Sequence, residues 1–137
     1  RGDTCEEKPE ILYHMTTVEE WETAKTNGVY YPKTYEKDGF YTHATGVPSR
    51  LLTTANHFYQ DVVGEWVCLE FTRSSLYKCG IHTKDEQAMP VGDKKTGSWD
   101  NWVCPHVYGG LPISVVYKTH PMKRDGAAFV SIPGLSD

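Results

Sequence analysis

No apolar run in the chain approaches the ~20 residues that a membrane-spanning helix needs, so none is expected. No Cys-x-x-Cys pair is present, which removes zinc-ribbon and thioredoxin-like readings. No Asn-x-Ser/Thr sequon is present either, so glycosylation offers no clue. Basic residues are in the minority: 14 Lys plus Arg stand against 18 Asp plus Glu, a net charge of −4. They form no stripe, which argues against duplex DNA or an RNA backbone as partner. Cysteine is sparse. Cys5, Cys68, Cys79 and Cys104 are 4 in 137 residues, too few for a disulfide scaffold. The even count allows two disulfides in any of three pairings, or four thiols. Cys68 lies among strand formers in Glu65-Trp66-Val67-Cys68-Leu69-Glu70-Phe71, where a buried free thiol is expected.

What is present is an ordinary globular balance, with 39% hydrophobic and 23% charged residues, 12 Gly and 8 Pro. We expect a single domain over residues 1–137, able to bury roughly two-thirds of its extended surface. The first residue is Arg1 rather than Met, which reads as a processed or trimmed start. Loss of a leader peptide would favour a secreted or extracytoplasmic location over the cytoplasm.

Residues 11–15 read as a strand. Thr16 with Glu19, and Thr17 with Glu20, each fit a helix capping box. Val18, Trp21 and Ala24 follow at helical spacing, and Asn27-Gly28 stops the helix. Residues 29–37 are Tyr-rich and irregular, Asp38-Gly39 marks a turn, and residues 40–44 are extended. A second helix is expected over 49–61, with Leu51 or Leu52, Ala55, Phe58, Tyr59 and Val62 facing inward. Residues 65–71 form the best strand pattern, and 76–81 a shorter one. Residues 82–101 are polar and weakly patterned, a long loop of the kind that is usually functional or mobile. Strands are expected over 102–108 and 113–118, joined by a Gly109-Gly110-Leu111-Pro112 hairpin connection, and over 127–132. The fold class is α+β: two N-terminal helices against about six short, mostly antiparallel strands.

Three histidines fall near strand ends. His14 ends the first strand, His43 follows a turn, and His106 enters the expected hairpin. Alternation puts His14 on the face of Leu12, Tyr41 with His43, and His106 with Tyr108. An imidazole there can hold a ribose hydroxyl, ligate a metal or move a proton near neutral pH. His57, His82 and His120 read as surface residues.

The run Tyr13-His14-Met15-Thr16-Thr17-x-x-Glu20-Trp21-x-x-Ala24 resembles the opening of the family called domain of unknown function 952. Gly39-Phe40-Tyr41-Thr42-His43-Ala44-Thr45 is similar to its second motif, with one residue inserted. Thr54-Ala55-Asn56-His57-Phe58-Tyr59 resembles the following helix. Pro105-His106-Val107-Tyr108-Gly109-Gly110-Leu111-Pro112-Ile113 is similar to its strongest motif, with Cys104 in place of Phe and Gly110 in place of Pro. The resemblance runs over residues 11–133, leaving 1–10 as an N-terminal extension.

The resemblance implies a small ADP-ribosyltransferase-like domain, nearest the clade of RNA 2′-phosphotransferases. There a histidine on the first strand and another on the next grip a dinucleotide, which by motif are His14 and His43. The implied function is binding of NAD, ADP-ribose or a related nucleotide, with ADP-ribosyl or phosphoryl transfer. The glutamate that other branches use is not marked by any motif; Glu70 and Glu86 are the candidates.

Such transfer needs the ribose held, the departing ring stacked and positive charge stabilised. Catalytic roles then fall to His14, His43 and His106, with His106 carrying protons. Nucleotide contacts fall to His14, Tyr41, His43, Arg50 and Tyr108. Tyr41 or Tyr108 would stack the nicotinamide, and Arg50 would meet a pyrophosphate. No metal is expected in this reading. Two alternatives stand beside it: a zinc site built from His14, His43 and His106, and a secreted non-enzymatic binding module with a degenerate cleft.

Overall fold

The computed structural model describes residues 9–89 and 102–137. Strand β1 (Ile11–Thr17) is followed at once by helix α1 (Val18–Asn27). Of the two capping boxes in the sequence, the Thr17 one forms. The Thr17 hydroxyl accepts from the Glu20 amide at 3.1 Å and donates to the Glu20 carboxylate at 3.0 Å. Gly28 ends the helix in the left-handed region at φ 87°, its N–H returning to the Ala24 carbonyl. Then come β2 (Val29–Tyr30), a one-turn helix α2 (Tyr35–Asp38) and β3 (Thr42–His43). Helix α3 (Pro48–Phe58) starts with proline in its first turn and buries Leu51, Ala55 and Phe58. It leads into β4 (Trp66–Thr72).

Four expectations for the next stretch are overturned. The strand expected over 76–81 is helix α4 (Arg73–Lys78), because the Thr72 side chain caps it from the Ser75 amide and Leu76 becomes its buried anchor. The polar loop expected from 82 begins as strand β5 (His82–Gln87); its remainder over 90–101 lies outside the described residues. The hairpin at 109–112 is also absent. After β6 (Val103–Tyr108), strand β7 (Leu111–Pro112) pairs with β2. A 3-10 turn (Ile113–Val115) replaces the start of the expected strand over 113–118, and the chain continues as β8 (Lys118–Asp125) and β9 (Ala128–Ser131). The two N-terminal helices are thus joined by a third, one-turn helix between them and a fourth after β4.

The strands form a four-stranded antiparallel sheet, β1-β4-β8-β9, a three-stranded sheet, β3-β6-β5, and the β2-β7 pair. Register sorts the four-stranded sheet into two faces. Leu12 opposite Phe71, and His14 opposite Leu69, look one way; Tyr13 opposite Glu70, and Met15 opposite Cys68, look the other. The first face packs on Trp21 and Ala24 of α1 and on Tyr30, Val107 and Leu111. The second packs on Leu51 and Ala55 of α3 and on Phe129. Each fully buried leucine here contributes roughly 2 kcal/mol of transfer free energy. Cys68 is a buried free thiol, pushed up to about 12 by burial and by Glu70 nearby. Cys79 is also a free thiol, and it is exposed; Cys5 lies outside the described residues.

The first and second sheets meet at one seam. Tyr13 and Thr45 exchange both backbone hydrogen bonds, at 2.8 and 3.0 Å, just past the end of β3. Among the described residues, no helix is long and apolar enough to cross a membrane.

Candidate functional site

The seam opens onto a cavity of about 680 Å³. Its wall takes His14 from β1, His43 from β3 and His106 from β6, together with Glu20 of α1, Tyr30 of β2 and Arg50 of α3. Trp66 and Trp102 add indole surface. The three histidines thus share one wall, although they come from positions 14, 43 and 106; His14 and His106 lie inside their strands rather than at the expected ends.

His14 is fixed at both ring nitrogens. Nδ1 lies 2.5 Å from the His43 carbonyl oxygen, which can only accept, so Nδ1 carries the proton. Nε2 then accepts from the Tyr30 hydroxyl at 2.9 Å. Burial lowers the His14 pKa to about 4; the His43 carbonyl opposes that shift and the His43 ring adds to it. The ring is therefore neutral at physiological pH. Tyr30 is pushed well above the usual phenol range, chiefly by burial.

His43 and His106 are direct partners in the β3–β6 register, with ring centroids 5.3 Å apart. Each has a carboxylate behind it. The Asp38 carboxylate, at the end of α2, accepts from His43 Nε2 at 3.0 Å and from the Thr34 hydroxyl at 2.6 Å. Glu86 of β5 accepts from His106 Nδ1 at 2.8 Å and from the Tyr108 hydroxyl at 2.5 Å. The Tyr108 bond is the main cause that holds Glu86 below the usual carboxylate range; burial opposes it and His106 reinforces it. His106 is lowered mainly by burial, against the pull of Glu86.

Among the described residues, three buried polar atoms of wall residues have no hydrogen-bond partner: Thr16 Oγ1, Trp66 Nε1, a donor, and His106 Nε2. Buried polar groups in native proteins are nearly all paired, so such atoms in a cavity wall mark places for a polar ligand or ordered water.

Tyr41 and Tyr108 do not line the cavity. Tyr41 is buried behind the wall, stacked on His106 at 4.2 Å and 21°, with its hydroxyl pushed up to about 12 chiefly by burial. The Tyr108 hydroxyl is committed to Glu86. The aromatic side chains of the wall are instead Tyr30, Phe58, Tyr59, Trp66 and Trp102. Arg50 does reach the cavity, its guanidinium 4.5 Å from the centre of the Trp102 ring. Sequence reasoning missed Tyr30, Asp38 and Trp66 as site residues. Asp38 carried only a turn signal, Tyr30 sat in an irregular stretch, and Trp66 read simply as strand.

The second candidate acid, Glu70, belongs to a different cluster on the opposite face. It accepts from His120 Nε2 at 2.7 Å and from the Tyr117 hydroxyl, which together outweigh its burial and keep it below the usual range. His120, expected on the surface, is 5% exposed because β8 places it beside Cys68 in the sheet. His57 and His82 are exposed. Among the described residues, no three His, Cys, Asp or Glu side chains are grouped to hold a metal. Both nitrogens of His14 are engaged within the protein, so a three-histidine ligand set would have to break one of these bonds.

The fold is similar to the crystal structure of protein CC0527 from Caulobacter crescentus. The TM-score is 0.64 at 18% identity, over 87% of this chain and 91% of that one. A double mutant of the same protein aligns with the same values. No curated protein matches the sequence. The family model described as "Protein of unknown function (DUF952)" matches residues 15–119, which include His43, His106 and most of the cavity wall. The chain belongs to that family.

Proposed function

We propose that the cavity binds NAD, ADP-ribose or a related nucleotide. The observation that carries this reading is the meeting of His14, His43 and His106, from three separate strands, in the wall of one cavity of about 680 Å³. That volume suits a ligand of nucleotide size. Arg50 beside the Trp102 face offers a cation for phosphate and a flat surface for a base. Lys33 is a second cation of the wall. Trp66 Nε1 and His106 Nε2 offer one donor and one acceptor without a partner among the described residues, a match for sugar hydroxyls. His14 serves as a fixed neutral post, since both nitrogens are used inside the protein. The ADP-ribosyltransferase-like reading of the fold supports the same ligand class, and any ADP-ribosyl or phosphoryl transfer would take place among these side chains.

A thermal-shift panel of NAD, ADP-ribose and zinc tests the reading. A nucleotide at 100 times its dissociation constant adds about 2.7 kcal/mol of apparent stability, a clear rise in Tm. The rise should vanish in His14→Ala and weaken in Arg50→Gln, a half-buried position whose replacement leaves the core intact. A panel in which no nucleotide moves Tm overturns the proposal. A response to zinc alone would favour the metal alternative.

A further inference from the structure

The Glu86–His106 pair goes further than binding. His106 is 1% exposed, and its environment settles which nitrogen carries the proton. Glu86 is held ionised and can only accept, so His106 Nδ1 is the protonated nitrogen and Nε2 keeps the lone pair. One ring face is covered by Tyr41, stacked at 4.2 Å, and His43 meets the ring edge-on at 5.3 Å. Glu86 is not part of the cavity wall, whereas His106 is, so the ring joins the wall by the side away from the carboxylate. Nε2 finds no hydrogen-bond partner among the described residues. A buried imidazole held at one nitrogen by a part-exposed carboxylate, its other nitrogen in a cavity wall, is the arrangement of a general base.

We propose that His106 is the proton acceptor for a sugar hydroxyl of the bound ligand, with Glu86 as its positioning residue. In the step, the hydroxyl proton moves to His106 Nε2 and the oxygen keeps the bonding pair, becoming a nucleophile. The imidazolium that forms carries a proton on each nitrogen and is neutralised by Glu86. The groups facing His106 are Glu86 from β5, Tyr108 from β6, His43 from β3, Tyr41 beside it and Asp38 from α2. Burial and the His43 ring disfavour the charged form, and Glu86 and Asp38 favour it. The balance leaves His106 neutral and ready to accept at neutral pH. This inference rests on the cavity being a nucleotide site, but the Glu86 pairing can be read without ligand.

Long-range nitrogen–proton NMR correlation of the imidazoles, on the full chain, separates the two. The expected results are a pure Nδ1–H tautomer for His106, and a fall of roughly one pH unit in its midpoint in Glu86→Gln. Tyr108→Phe, a change at a partly exposed ring, removes the donor that competes with His106 for the Glu86 carboxylate and should move the midpoint by less, in the opposite direction. With ADP-ribose at saturation, the Nε2 resonance should move as its lone pair accepts a hydroxyl. An Nε2–H tautomer in the wild type, or an unchanged midpoint in Glu86→Gln, overturns the positioning role. ADP-ribose that raises Tm yet leaves the Nε2 resonance unmoved overturns the proton-acceptor role while sparing the nucleotide reading. NAD and ADP-ribose that both leave Tm and Nε2 unmoved overturn the nucleotide reading and the proton-acceptor role with it, and an expected tautomer and midpoint then uphold Glu86 alone.

Discussion

Acidification should weaken the protein through His14 in a window that can be worked out in advance. The ordinary imidazole value is 6.5, and in the folded state burial brings His14 to about 4. The folded state therefore binds fewer protons than the unfolded chain between these values. Stability contributed by keeping this ring neutral is fully present above 6.5, falls as pH drops, and is exhausted below about 4. The linkage integral gives a loss of about 2 kcal/mol on going from pH 7 to 5, and about 3 kcal/mol by pH 4. Against a typical domain stability of 5–15 kcal/mol, roughly, that is a large share. The assay is urea unfolding at pH 7, 5 and 4 for wild type and His14→Gln, the amide being able to donate to the His43 carbonyl and accept from Tyr30. The variant should be less stable at pH 7 but should lose less as pH falls, by about the same 2 and 3 kcal/mol. Glu70, Glu86 and His106 titrate in both proteins, so they cancel in the comparison. An identical pH slope in the two proteins would refute the assignment of His14 as a buried, neutral ring.

Gly110→Ala should cost about 1–3 kcal/mol in urea unfolding, by overpacking. A Cβ there would sit 2.8 Å from the Tyr30 carbonyl, and as close to Tyr31 and Val29, forcing β7 off β2 and disturbing the residue that holds His14. Thr17→Ala should cost about 1 kcal/mol, because the Glu20 amide loses its cap; thermal unfolding reads it directly. In native protein, a thiol reagent followed by mass spectrometry should label Cys79 readily and spare Cys68, whose buried thiol ionises only near 12. Labelling of Cys68 without prior unfolding would contradict its place in the sheet.

Where apolar periodicity was strong, the sequence was a good guide. The run from Leu12 through the Thr17 cap to Gly28 gives strand, helix and stop close to where the structure has them, and α3 and β4 are equally legible. The failures share a cause, which is that neighbours in space decided the outcome. His82-Thr83-Lys84-Asp85-Glu86-Gln87 has no apolar alternation because β5 is an edge strand with polar side chains on both faces, so it read as loop. The bidentate pair between Arg73 and Asp85, at 2.7 and 3.3 Å, ties it to α4 and is invisible at that separation in the chain. Leu76 fits a strand and a helix equally, and the Thr72 cap decides for helix. In the site, the three histidines were recognisable as imidazoles on extended segments, although His14 and His106 lie inside β1 and β6 and only His43 ends its strand. Their carboxylate partners were not, since Asp38 looked like a turn residue and Glu86 lay in the misread strand. Tyr41 and Tyr108 were placed on the correct faces relative to His43 and His106, yet sharing a face did not bring them to the cavity, because the ring of His106 stands in front of Tyr41.

The seam at Tyr13 and Thr45 gives the molecule an unusual economy. One residue of β1 joins the two sheets through its backbone, and the very next side chain, His14, reaches the carbonyl of His43 on the other side. Sheet alignment and imidazole placement are therefore a single mechanical variable. A change that lets β3 slide past β1 would scatter the histidines even where the hydrophobic interior survives, so recognition should fail at such positions before folding does.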